Sequence, residues 1–302
     1  MRRRVLFFGL LTLVAAATLQ AMFRASLPTD VELPRIDASG AFPRESAAHG
    51  LRIMTLNLAH GRELSFHQSM LRRARVASNL SRVSEIFVRE RPDLITLQEA
   101  DGPSVWSGYF DHVDSLARAA GYDFAVRGTH VQVAWPFVLD YGTAIVSRWP
   151  VTESQSVRFA QARYDTKGFV RATVRAPALG GTIDVVSVHL DFLLATTRWR
   201  QVEILQRALD EHRHPLILAG DFNCEWQDAT CVEWLSATLG LRAYEPLAGE
   251  PTFPSTRPTS RIDWILVSRE LSFDSYRTLA DPISDHLGVV AQISRATPES
   301  SR

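Results

Sequence analysis

The stretch LILAGDFN, residues 216–223, decides how the rest of the chain is read. Leu216 to Ala219 form an apolar run of strand length, and Gly220 ends it before Asp221 and Asn223. Two residues apart in an extended chain, Asp221 and Asn223 point to the same side. A carboxylate and an amide at the exit of an apolar strand are costly to place unless they are hydrogen-bonded or used. The same pattern recurs outward from this point. Asn57 closes IMTLN (53–57), Glu99 follows LITLQ (94–98), and His189 ends VVSVH (185–189). Asp263 lies within RIDWILV (261–267), and Asp285 and His286 precede the last apolar run. Strand ends that feed loops on one rim of a sheet are where layered sheets build sites, so these residues are expected to converge.

Eight short runs read as strands: Arg52 to Leu58, Leu94 to Leu97, Thr143 to Val146, Phe169 to Val174, Ile183 to His189, Leu216 to Ala219, Ile262 to Val267 and Val289 to Ile293. Helical spacing interleaves with them. Val76, Leu80, Val83 and Phe87 share one helical face, as do Val202, Leu205 and Leu209 after Arg198. Residues 51–294 contain no internal repeat and no second linker, so they form one layered α/β or α+β domain with sheets inside and helices outside.

The composition, 46% hydrophobic and 22% charged over 302 residues, excludes a disordered, collagen-like or multi-span membrane chain. Arg2, Arg3 and Arg4 precede the apolar run Val5 to Phe23, and no acidic residue occurs before residue 25. Residues 1–24 therefore read as a signal peptide or an N-terminal membrane anchor, both of which export the rest of the chain to an extracytoplasmic location. Residues 25–50 read as a linker and 295–302 as a disordered tail. The body that follows residue 24 holds 29 basic and 33 acidic residues, a net charge of −4, which gives no global pull toward polyanions. Cys224 and Cys231, seven apart, are expected to form a disulfide in an oxidising compartment and to pin the loop after Asp221.

The inventory of strand-end residues is carboxylates, asparagines and histidines, with no thiolate cluster. Hard oxygen donors with few nitrogens suit Mg²⁺ or Mn²⁺ rather than zinc. A divalent ion beside a histidine and amide donors suits hydrolysis at phosphorus. The signatures G-x-S-x-G, H-E-x-x-H and Walker A are absent.

The strings TLN (55–57), LQE (97–99), SVHL (187–190), GDFN (220–223), RIDWILV (261–267) and SDH (284–286), in this order, resemble the endonuclease/exonuclease/phosphatase superfamily, whose fold is that of DNase I. The resemblance implies a four-layered α/β sandwich, two mixed sheets face to face with helices outside, and Mg²⁺-dependent phosphoester hydrolysis. It implies that Glu99 is the principal metal ligand, with Asn57 close to the metal and Asp285 a further ligand. Asp263 would orient His286, and either His286 or Asp221 would be the base. Asn223 would stabilise the transition state, His189 would bind a phosphate oxygen or assist the leaving group, and Asp140 would be the carboxylate partner of His189.

His60 and Arg62, just after Asn57, are candidates for substrate phosphate binding. Val133 to Leu139 (VAWPFVL) reads either as an exposed hairpin suited to lipid contact or as a buried strand. Arg72, Arg73, Arg75 and Arg82 read as a solvated helix face. The favoured function is an exported phosphodiesterase or phosphatase acting on a small or lipid-linked phosphoester. A secreted nuclease is the alternative, a non-catalytic binding module a remoter one, and no protein partner is predicted.

Overall fold

The computed structural model describes residues 50–134, 138–160, 166–210, 212–228 and 231–297. The leader 1–24, the linker except for Gly50, residues 135–137 within VAWPFVL, and 298–302 of the tail lie outside the described residues. Among the described residues no helix is long and apolar enough to cross a membrane.

Thirteen described strands follow in chain order: β1 (Leu51–Asn57), β2 (Leu94–Asp101), β3 (Phe124–Arg127), β4 (Val131–Val133), β5 (Leu139–Ser147), β6 (Val151–Arg158), β7 (Gly168–Ala176), β8 (Gly181–His189), β9 (Leu216–Asp221), β10 (Leu241–Ala243), β11 (Asp263–Ser268), β12 (Leu271–Thr278) and β13 (Val289–Arg295). They build two mixed sheets. The first runs β12-β13-β1-β2-β5-β3, with β4 also on β5, and the second runs β10-β11-β9-β8-β7-β6. Four described α-helices cover them: α1 (Arg73–Glu90), α2 (His112–Ala120), α3 (Ala195–Leu209) and α4 (Val232–Leu239).

Side-chain alternation explains the layering. In β1, Leu51 and Ile53 pack between the sheets, while Met54 and Leu56 pack under α1 and α2. In β9, Ile217 and Ala219 join the inter-sheet core, and Leu216 and Leu218 face α3 and α4. Both faces of these strands are buried, which is why they read as continuous apolar runs. The helical faces fit accordingly: Val76, Leu80, Val83 and Phe87 of α1 belong to one outer core, and Val202, Leu205 and Leu209 of α3 to the other. The result is a four-layered α+β sandwich.

The parallel pairs position the site. β1 runs parallel to β2 in the first sheet, and β8 runs parallel to β9 in the second. Each parallel pair needs a crossover, supplied by α1 and α3, so the C-terminal ends within each pair share one rim.

Candidate active site

Register places the second sheet's polar residues side by side. His189 pairs with Asp221 across β8 and β9, and Asp221 pairs with Asp263 across β9 and β11. Gly220 is what allows the close approach: a Cβ there would lie 2.0 Å from the Val188 carbonyl oxygen, at a φ of +148°. His286 enters from the loop before β13, where its Nδ1–H donates to Asp263 Oδ2 at 2.9 Å. Thr252 donates to the same oxygen at 2.6 Å. Asp221 Oδ2 then lies 3.7 Å from His286 Nε2 and 3.4 Å from His189 Nε2.

The first sheet joins through Asn57, whose amide donates to Asp221 Oδ2 at 2.9 Å while its oxygen accepts from the Ala59 N–H. Two sheets therefore meet at one carboxylate. Glu99 reaches the cleft by a different device. The β2–β5 register shifts between Leu97 and Ala100, and Glu99 sits in that bulge with φ +50°. Its carboxylate is 3.4 Å from His60 Nε2 and 3.8 Å from Lys167 Nζ. His60 donates from Nδ1 to the buried Asp101 at 2.6 Å, and Trp106 Nε1 donates to the other oxygen of Asp101 at 2.9 Å.

These contacts set the charges. Burial and the nearby Asp263 charge push Asp221 up to about 7, against the opposing pull of His286. Burial alone would lower His286, but the charges of Asp263 and Asp221 outweigh it and raise the imidazole to about 10. His189 goes the other way: burial and then the Lys167 charge hold it well below the usual histidine range, so it is neutral. Lys167 Nζ donates to His189 Nε2 at 2.7 Å. Burial would raise Glu99, but His60, Lys167 and His286 outweigh it and keep the carboxylate ionised. The site at neutral pH thus combines a neutral histidine, a protonated histidine and a carboxyl group poised between its two states.

The remaining expected residues fall as follows. Asn223, at φ +50°, donates its backbone N–H to Asp221 Oδ1 at 2.9 Å and its amide to the Leu190 carbonyl at 3.0 Å. Asp285 is ion-paired with Arg62, whose guanidinium also donates to the Ser65 carbonyl at 2.9 Å. His60 and Arg62 both line a cleft of about 430 Å³ together with Glu99, Lys167 and His189. Asp140 is a correction. It does not partner His189 but is held by Arg127 at 2.5 and 2.8 Å and by Thr129 at 3.2 Å. Alternation along β5 sends Tyr141 into the cleft and its neighbour Asp140 to the opposite face. Arg75 and Arg82 of the helix face pair with Glu63 at 3.4 and 2.5 Å, and Arg73 donates to the Gly108 and Tyr109 carbonyls. Cys224 and Cys231 are disulfide-bonded with Cα atoms 6.6 Å apart, and the Cys224 carbonyl accepts from Trp264 Nε1 at 3.0 Å.

Three contributors escaped the sequence reading: Lys167, Asp101 and Trp106. Lys167 carries no local signal, because its burial depends on its tertiary partners His189 and Glu99. Asp101 acts through His60, and Trp106 both bonds Asp101 and lines the cleft, which no spacing reveals.

The donors suit a hard divalent cation. Glu99 offers an ionised carboxylate to the cleft, whereas the Asn57 oxygen already accepts from the Ala59 N–H and Asp285 is ion-paired with Arg62. A second oxygen-rich group, Asp221, Asp263 and His286, has ligand atoms within 4.8 Å of one another, and Asp263 Oδ1 is buried without a hydrogen-bond partner. In that group His286 is already bonded through Nδ1 to Asp263, which fixes the ring and leaves Nε2 facing Asp221 for proton handling.

A model of the Endonuclease/Exonuclease/phosphatase family matches residues 54–286, from Met54 in β1 to His286. The chain belongs to this family. Members hydrolyse phosphoesters, and the matched span contains every residue of the cluster from Asn57 to His286. Solved structures share the fold. The endonuclease/exonuclease/phosphatase of Beutenbergia cavernae is 23% identical, with a TM-score of 0.66 over 82% of this chain and 72% of that one. The mannosyl-6-phosphatase of Bacteroides thetaiotaomicron is 18% identical, with a TM-score of 0.60 over 80% and 99%. A humanized D. rerio TDP2 is 16% identical, with a TM-score of 0.59 over 82% and 99%. A search of curated proteins finds no match to the sequence.

Proposed function

We propose that this chain is a divalent-metal-dependent phosphoesterase that hydrolyses a small or lipid-linked phosphoester by direct attack of water. The observation that carries the reading is the meeting of both sheets at Asp221, with a neutral histidine on one side of it and a protonated one on the other. A cation of the Mg²⁺ class held by Glu99 would neutralise charge on the phosphoryl oxygens.

The chain's own groups do the rest. Asp221 accepts the proton of the attacking water, since its carboxyl is poised near neutrality, where a base works best. His286, protonated and fixed by Asp263, is unsuited to be the base and donates from Nε2 to a non-bridging oxygen. The water oxygen bonds to phosphorus as the ester oxygen departs, and Lys167 Nζ, braced against His189 Nε2, donates to that leaving oxygen. Asn223 steadies the equatorial charge with its amide.

The cleft favours such an ester over a nucleic acid strand. Its side-chain cations are Arg62 and Lys167, and its walls carry Trp106, Tyr141, Phe66 and Phe192. The arginine-led apolar segment of residues 1–24 supports an extracytoplasmic setting. The test is release of p-nitrophenol from the mono- and bis-p-nitrophenyl phosphates in Mg²⁺ and in EDTA. The reading predicts turnover that EDTA abolishes and Mg²⁺ or Mn²⁺ restores. Turnover indifferent to chelation would overturn the metal assignment, and no turnover on any phosphoester with metal bound would overturn the enzyme.

A further inference from the structure

Two loops at the cleft mouth carry large apolar side chains into solvent. In the loop between β1 and α1, Phe66 is 91% and Met70 73% exposed. In the loop between β8 and α3, Phe192, Leu193 and Leu194 are 62%, 71% and 58% exposed. Phe66 and Phe192 both line the cleft, so the two loops converge at its entrance. Exposed apolar groups scattered singly are ordinary, but Phe66 and Phe192 at one opening, with Met70, Leu193 and Leu194 exposed on the same two loops, mark a contact surface. Local order holds them outward: the Asp191 carboxylate accepts from the N–H groups of Leu193 and Leu194 at 2.9 and 2.7 Å.

Charge selects the occupant. Exposed Arg72 and Arg75 follow the first loop and exposed Arg200 lies in α3 after the second. The one acidic side chain between Arg62 and Arg75, Glu63, is already paired with Arg75 and Arg82. The second loop also carries Asp191, so the cationic excess lies on the side of the first loop, where Arg72, Arg73, Arg75 and Arg82 outnumber Glu63. Apolar tips beside such an excess are complementary to an interface with an anionic polar layer over an apolar interior. A protein partner seated there would also close the entrance, whereas a lipid layer presents the ester at it.

We infer that these two loops form an interfacial docking surface for an anionic phospholipid bilayer, which brings a lipid-borne phosphoester to the cleft. The inference rests on the phosphoesterase reading for its substrate but not for the docking itself. The full chain carries an environment-sensitive dye on a cysteine introduced by Leu193→Cys, with Gln155→Cys on the exposed edge strand β6 as the control. On vesicles of phosphatidylglycerol and phosphatidylcholine, the dye at position 193 is expected to shift blue and brighten roughly two-fold or more, with a weaker response on phosphatidylcholine alone and none at position 155. Vesicle binding without a response at 193 would overturn the inference, because another segment then holds the protein there. A blue-shifted dye before vesicles are added would also overturn it, showing the rim covered by the chain's own remainder or, if concentration-dependent, by a second copy. Turnover of the soluble p-nitrophenyl esters by Leu193→Ser, expected at the wild-type rate, is read separately. Failure there by the wild type sinks the phosphoesterase reading and leaves the docking result standing.

Discussion

Asp221 concentrates the residue-scale argument. It accepts from Asn57 and from the Asn223 backbone, faces two histidines, and lies beside a second carboxylate, yet burial dominates and lifts it to about 7. A raised carboxyl pKa means the group holds its proton, and cannot act as a base, until the pH exceeds that value. The account therefore predicts that kcat/KM on a soluble ester rises with pH and levels off, with its midpoint near 7. His286 keeps its proton over the same window, because its own raised value lies near 10. Asp221→Asn is expected to remove the acid limb and lower turnover by about two to four orders of magnitude. A limb that persists unchanged in Asp221→Asn would assign it to another group.

At the scale of elements, the tight β8–β9 pairing is the feature on which placement depends. Gly220→Ala would set a Cβ against the Val188 carbonyl in a backbone conformation that alanine rarely adopts. The expected cost is about 1 to 3 kcal/mol, read as a fall in melting temperature, together with a loss of turnover larger than instability explains. A Gly220→Ala protein as stable and active as the wild type would refute the close-packing argument. The same scale explains what the sequence reveals. All eight apolar runs lie on strands, because those strands are buried on both faces and need no partner to be recognised. Five strands, β3, β4, β6, β10 and β12, escape the pattern. β6 is exposed along most of its length, β3, β4 and β10 have three or four residues, and β12 is an outer strand with mixed burial. The helices α2 and α4 are short and escape it too. In the site, Asn57, Glu99, His189, Asp221, Asp263 and His286 are legible because polar groups at strand exits stand out. Asp140 misleads because alternation turns it from the cleft where its neighbour Tyr141 enters. Lys167 and Asp101 are legible only once the sheets are stacked.

At the scale of the whole molecule, the site exists only where two sheets pack face to face, so anything that loosens the sandwich loosens the chemistry. The Cys224–Cys231 disulfide closes the loop between Asp221 and α4, and its reduction is expected to lower stability by about 2 to 3 kcal/mol. Thermal melts with and without reductant check this, and an unchanged melting temperature would show the loop to be held by its buried Phe222 and Trp264 contacts instead. The central claim is that residues from both sheets form a single phosphoester-hydrolysing site. Its most direct test is the turnover of one soluble phosphodiester by Glu99→Ala from the first sheet, His189→Ala from the second, and the double variant, each confirmed folded by its melting temperature. The account predicts that each single variant loses about a hundred-fold or more and that the double variant falls little below the worse single, because the groups act as a unit. Wild-type turnover in either folded single variant, or losses that multiply in the double, would contradict it.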